Sequence, residues 1–226
     1  NFLDRFRNKK VFAFGDSMTQ GYNGGYLRYL ESAFLTKVEN YGSAGSMANR
    51  MVDIVTNGYG LPPRYNATAW GQKDYTNLAC AVLMIGTNDS SGANFGSIDT
   101  LPTGSVQDYE NNLDYWALFP NDYVGNIGLC IEFIKWKAPS CEIYLVAPPP
   151  QQNATLGRSK IERLQQPLND LAKYYGLKLI NGTYDSGISY KQMRGDLNIY
   201  SEDGTHFNKA GNKVFGTFLA RSILVG

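Results

Sequence analysis

The chain has 226 residues, enough for one large core or two small ones. Its 21 Lys and Arg against 20 Asp and Glu leave a net charge of +1. That balance excludes the strong field expected of a protein whose main partner is nucleic acid or an acidic membrane. No apolar run reaches the roughly 18 residues that a membrane span needs.

Short apolar runs alternate with helical periods along the chain. Val11–Phe14 reads as a first strand, followed by Leu27, Leu30 and Phe34 at helical spacing. Lys37–Tyr41 is the second strand, and Met47, Met51 and Ile54 or Val55 mark the next helix. Ala79–Ile85 is the third strand. Val124, Ile127, Ile131 and Ile134 then repeat at helical spacing and stop at Pro139. Glu142–Ala147 is the fourth strand. Ile161, Leu164, Leu168, Leu171 and Tyr175 follow as a helix ending at Gly176, with Pro167 expected to split or kink it. Leu177–Ile180 is the fifth strand, and Val214, Phe215, Phe218 and Leu219 mark a final helix. Several strands are apolar on both faces, so they belong in a parallel sheet covered on both sides. No repeat or linker divides the chain, and one domain over residues 1–226 is the expectation.

Two stretches exceed that minimal alternation. Asn57–Asn77 carries Tyr59, Tyr65 and Trp70, and Ser90–Tyr123 carries Phe95, Tyr115 and Trp116. Connections this long are often binding loops, and these rings are expected to line a pocket for a sugar or an acyl group. The competing reading is that they pack on each other and hold the loops in place. Cys80, Cys130 and Cys141 cannot all pair within one chain, and they are expected to be buried free thiols.

The chemistry lies elsewhere. Gly15-Asp16-Ser17 closes the first strand, and the chain's one histidine stands in Asp203-Gly204-Thr205-His206. Ser, Asp and His in that chain order suggest a serine hydrolase. A serine hydroxyl needs a base to take its proton, a group to orient that base, and donors for the oxyanion it creates. Ser17 falls where open α/β folds bind ligands, at the carboxyl edge of the sheet. Gly204 lets the chain fold tightly enough for the Asp203 carboxylate to reach the imidazole. Asn40-Tyr41-Gly42-Ser43-Ala44-Gly45 follows the second strand and Gly86-Thr87-Asn88-Asp89 ends the third, so a glycine amide and an asparagine amide stand at adjacent strand ends. Each block alone reads as an ordinary turn.

Together, Phe14-Gly-Asp-Ser17, Asn40-x-Gly-x-x-Gly45, Gly86-Thr-Asn-Asp89 and Asp203-x-x-His206 resemble, in order, the four blocks of the SGNH (GDSL-type) hydrolases. The resemblance implies a flavodoxin-like three-layer α/β/α sandwich with a five-stranded parallel sheet. It implies Ser17 as nucleophile, His206 as general base and Asp203 as the group that orients it. The backbone amides of Ser17 and Gly45 and the Asn88 side chain would form the oxyanion hole. Gly42 would serve the turn, while Asp16 and Asp89 would brace their loops.

The family cleaves many esters and thioesters, so these blocks do not name a substrate. Low charge with 16 Tyr, 24 Gly and many Asn favours an extracellular or particle-borne protein that handles sugars. The expected activity is removal of O-acetyl groups from a polysaccharide or glycan. The chain opens Asn1-Phe2-Leu3-Asp4, with neither an initiator Met nor a leader, which resembles an enzymatic domain cut from a bacteriophage tail protein acting on a capsule. A secreted bacterial carbohydrate esterase is the main competitor, a lipolytic esterase or thioesterase of the same family comes third, and a glycan-binding module without turnover is the alternative from another class. No cofactor or metal is expected, since no ligand cluster has zinc or calcium spacing and no glycine-rich run has a phosphate-loop setting.

Overall fold

The structure is a computed structural model describing residues 2–22, 24–65, 71–92, 94–104, 112–152 and 158–225. Its strands are β1 (Lys10–Gly15), β2 (Val38–Gly42), β3 (Leu78–Met84), β4 (Glu142–Ala147) and β5 (Lys178–Asn181). They form one five-stranded sheet in the order β2-β1-β3-β4-β5, and every pair is parallel. The period-two alternation of the strands divides the interior into two cores. Phe12 and Phe14 of β1, Ala81 and Leu83 of β3 and Leu145 of β4 point to one face. Val11, Ala13, Cys80, Val82 and Val146 point to the other.

Amphipathic helices cover both faces. Helices α3 (Ala48–Thr56), α5 (Tyr123–Lys137) and α7 (Gln165–Tyr175) supply the first core, and α2 (Leu27–Phe34) and α8 (Lys209–Val225) supply the second. The result is a flavodoxin-like three-layer α/β/α sandwich. Helix ends follow local chemistry. Asp122 Oδ1 accepts the Gly125 N–H at 2.8 Å at the start of α5, and Asn208 Oδ1 accepts the Gly211 N–H at 3.0 Å at the start of α8. Gly176 ends α7 with φ 62°, in the left-handed region.

Pro167 does not break the helix where it stands. The break comes earlier, between the short helix α6 (Arg158–Glu162) and the start of α7 at Gln165. Pro167 therefore lies in the first turn of α7, where a helix has no use for its missing N–H. Cys80, Cys130 and Cys141 are buried free thiols. Among the described residues, no helix is long and apolar enough to cross a membrane.

The two long connections are tied together by one arginine. Arg64 donates to the carbonyls of Trp116 (3.1 Å), Phe119 (2.8 Å) and Pro120 (2.8 Å) and to Asn126 Oδ1 (3.1 Å). Its own backbone is pinned to α3, because the buried Asp53 carboxylate accepts the N–H groups of Arg64 (2.6 Å) and Tyr65 (2.9 Å). This arrangement corrects the expectation for Tyr115 and Trp116. Both rings are buried, with Phe119, against Phe133 of α5 and the rest of the first core. Their large apolar area is better satisfied there than at a wet pocket wall.

Candidate active site

The sheet order reverses direction between β1 and β3, so the carboxyl ends of these strands flank a crevice. Ser17 stands there as the first residue of the short helix α1 (Ser17–Gln20). Asp16 caps that turn: its Oδ1 accepts the Met18 N–H at 2.9 Å, and its carbonyl accepts from Thr19 and Gln20. As the first helical residue, Ser17 has no acceptor for its N–H within its own helix.

His206 arrives on a tight turn 189 residues away. An antiparallel bridge between Ser201 and Phe207 closes the turn, and Gly204 crosses it at φ 81°. Ser201 Oγ accepts the Gly204 N–H at 2.9 Å, and the Gly204 carbonyl accepts the Gln152 N–H at 2.8 Å, which anchors the turn to the segment after β4. Asp203 Oδ2 lies 2.7 Å from His206 Nδ1, and His206 Nε2 lies 2.9 Å from Ser17 Oγ. Burial pushes the Asp203 carboxyl upward, but hydrogen bonds from the His206 ring and from the backbone of His206 and Thr205 outweigh it. The net effect holds the group below its ordinary range.

The loop between β2 and α3 is built to hold a fixed path. Asn40 Oδ1 accepts the Gly42 N–H at 2.9 Å, and Gln20 Oε1 accepts the Ala44 N–H at 2.9 Å. From the β3 side, Asn88 Nδ2 donates to the Ser46 carbonyl at 2.8 Å and Asp89 Oδ1 accepts the Ala48 N–H at 3.1 Å. An amide nitrogen carries two hydrogens, so Asn88 retains a second donor. The two glycines of this loop have different reasons to be glycine. A Cβ at Gly42 would stand 2.1 Å from Gln20 N, so Gly42 serves a close approach to α1 rather than a turn. Gly45 has open space around it but adopts φ 70°.

Asp16 and Asp89 lie beneath these loops, almost fully buried. Burial raises the Asp16 carboxyl to about 6 despite the Met18 N–H and the nearby His206. Burial likewise raises Asp89 to about 6, and the Asp16 charge adds to the effect.

The remaining sequence candidates separate. Tyr59 packs on Tyr75, just ahead of β3, and on Phe133, and its hydroxyl donates to the Lys73 carbonyl at 2.6 Å. It is therefore a packing residue at the amino edge of the sheet, away from Ser17 and His206. Tyr65 is 56% exposed, with the Arg50 guanidinium over its ring at 5.6 Å. Phe95 packs edge-on against Tyr123, and Arg163 covers it while reaching the Ser90 carbonyl beside the Asn88 loop. Trp70 lies outside the described residues. The sequence reading missed Tyr22, whose ring stacks on the His206 imidazole with centroids 5.0 Å apart and an interplanar angle of 27°. The available signal was one aromatic residue among the glycines of Gly21-Tyr22-Asn23-Gly24-Gly25, directly after α1.

A parallel α/β/α sandwich with a hydroxyl, an imidazole and a carboxylate in hydrogen-bonded line at its switch point has the build of an α/β acyl hydrolase. The model of the GDSL-like Lipase/Acylhydrolase family matches residues 13–214, and the chain belongs to that family. Solved structures agree on the fold. A possible lipase from Chitinophaga pinensis superposes with a TM-score of 0.64 at 16% identity, over 95% of this chain and 97% of that one. The M. smegmatis aryl esterase does so with a TM-score of 0.56 at 20% identity, over 95% and 98%. No curated protein sequence matches the chain.

Proposed function

We propose that the chain is a serine esterase that removes O-acetyl groups from a polysaccharide or glycan through an acyl-enzyme on Ser17. The observation that carries the catalytic part is the unbroken line from Asp203 Oδ2 through the imidazole to Ser17 Oγ, at 2.7 Å and 2.9 Å. Both distances fall within the reach that proton transfer needs.

In this reading Ser17 Oγ attacks the ester carbonyl carbon while its proton passes to His206 Nε2. The carbonyl oxygen takes up the electron pair and is met by the Ser17 and Gly45 N–H groups and the second Asn88 N–H. Collapse of the tetrahedral species breaks the bond to the alcohol, which leaves with the proton from His206. Water then attacks the acyl carbon, gives a proton to His206, and acetate departs as Ser17 regains its hydrogen. Asp203 stays ionised throughout and stabilises the imidazolium. Asp16 and Asp89 brace the nucleophile turn and the asparagine loop without reacting.

The glycan part is supported by composition: low charge, abundant Tyr, Gly and Asn, and the exposed rings of Tyr22 and Tyr65 near the β1 and α3 loops. A bacteriophage tail or another extracellular setting, with a capsule as substrate, is the context we propose for it. Two measurements test the reading. A fluorophosphonate should label folded wild-type protein on Ser17 and leave Ser17→Ala unlabelled; absence of a Ser17 adduct would sink the esterase mechanism. Acetate release from acetylated glycans, compared with aryl esters, fatty-acyl esters and thioesters, tests the substrate. Preference for long acyl chains would move the assignment to a lipolytic enzyme or thioesterase.

A further inference from the structure

We infer that Tyr22 is a positioning residue for His206. Its ring holds the imidazole in the plane shared with Ser17 and Asp203, and its π-face stabilises the imidazolium that forms whenever Nε2 takes a proton. This rests on the assignment of His206 as base.

Three observations converge on it. The stacking geometry places the Tyr22 ring face against the imidazole, and an aromatic face attracts a cation while merely covering a neutral ring. The contact is set by backbone as well as side chain. The buried Asn212 of α8 donates its Nδ2 hydrogens to the carbonyl of Tyr22 (2.8 Å) and, more weakly, to that of Phe207 (3.4 Å), the residue after His206. One amide thus ties both partners of the stack to α8. The loop that carries Tyr22 is also closed on itself. The Tyr22 carbonyl accepts the Gly25 N–H at 3.0 Å, and the α-carbons of Gly21 and Gly25 approach so closely that a Cβ on either would stand 3.1–3.2 Å from the other.

Tyr22 is nevertheless 62% exposed, so burial does not explain its placement. Asp203 meets the imidazole edge at Nδ1 and Ser17 meets it at Nε2. The buried Asp16 carboxyl contributes a through-space charge from below. Tyr22 covers a face of the ring, where it adds to the two edge contacts that set the plane of the imidazole.

The test uses the fact that His206 is the one histidine of the sequence, so its imidazole C–H proton resonance needs no assignment. Wild type, Tyr22→Phe, Tyr22→Leu and Tyr22→Ala, without a polyhistidine tag, are titrated by proton NMR. The acid limb of kcat/KM for p-nitrophenyl acetate is measured on the same samples. Tyr22→Phe keeps the ring face and should match wild type in both readouts. Tyr22→Leu keeps an apolar cover but no π-face. It should move the titration midpoint and the acid limb to lower pH by about 0.5 unit, and lower kcat about two- to fivefold. Tyr22→Ala should shift at least as far. A Tyr22→Leu midpoint equal to wild type, or a Tyr22→Phe shift equal to that of Tyr22→Leu, would overturn the role of the ring. A resonance that moves while the kinetic limb stays fixed would instead overturn the proposal through the base assignment beneath it.

Discussion

Asp203 grips His206 twice. Its Oδ2 lies 2.7 Å from the ring Nδ1, and its Oδ1 accepts the His206 backbone N–H at 2.7 Å. Asparagine offers a single oxygen and cannot do both. Asp203→Asn should either lose the turn contact or present an N–H to Nδ1, which forces the wrong imidazole tautomer on the proposed base. A fall in kcat of about 10³- to 10⁴-fold is expected, with KM little changed, measured on p-nitrophenyl acetate. A loss under tenfold would remove Asp203 from the proposed machinery.

Asn88 holds the Ser46 carbonyl and, in the proposed mechanism, also offers a hydrogen to the oxyanion. Asn88→Ala should lower kcat about 10²- to 10³-fold. It should also destabilise the fold by about 1–3 kcal/mol, since the carbonyl of the buried Ser46 loses its donor. Steady-state kinetics and thermal unfolding separate the two effects; destabilisation with kcat intact would leave Asn88 a purely structural residue.

The buried carboxyl of Asp89 makes stability depend on pH. Its folded value of about 6 lies above the ordinary 3.8, so the folded state prefers the protonated form. The stability this contributes is fully present below about pH 3.8 and is lost as pH rises through about 6. Asp89→Asn lacks that titration. Its stability relative to wild type should improve by a few kcal/mol between about pH 4 and pH 7.5, whatever its offset at either end. Parallel stability curves for the two proteins in denaturant at the two pH values would contradict the shift.

From the first long connection, Arg64 holds three carbonyls of the second and the Asn126 side chain of α5, and charged hydrogen bonds of this kind carry more than neutral ones. Arg64→Ala should cost about 2–4 kcal/mol, read as a lowered midpoint in urea. Because Trp116 and Phe119 belong to the first core and none of the four partners is Ser17, Asp203 or His206, kcat per folded molecule should stay near wild type. A kcat loss in fully folded protein would show that these connections reach the substrate after all.

The candidate reactive residues were legible because each sits in a short block, Ser17 and Asn88 just past the ends of β1 and β3, and Asp203 and His206 in one tight turn ahead of α8. Ser17, Asp203 and His206 were grouped by the order of four blocks that together resemble the SGNH hydrolases, since no single block would have done it. The aromatic rings were harder. Tyr59 follows a helix, and a connection after a helix returns to the amino edge of a parallel sheet, opposite the site. Tyr115 and Phe119 stand four residues apart, a helical spacing that marks an inward face as readily as a pocket wall. Tyr22 has no neighbours with which to form a pattern. Its position depends on Asn212, almost the whole chain away, and no local reading reaches that far.

Ser17 follows the first strand, and His206 stands in the last turn before the final helix. A contact 189 residues apart in sequence carries the closure entropy of a long loop, which the docking of the His206 turn against the finished sheet offsets. Under the proposed mechanism, hydrolysis is therefore a folding assay in its own right. A chain that has built β1 and β3 but not docked the His206 turn would hold an inert serine, so activity should appear in step with the completed fold and with no earlier intermediate.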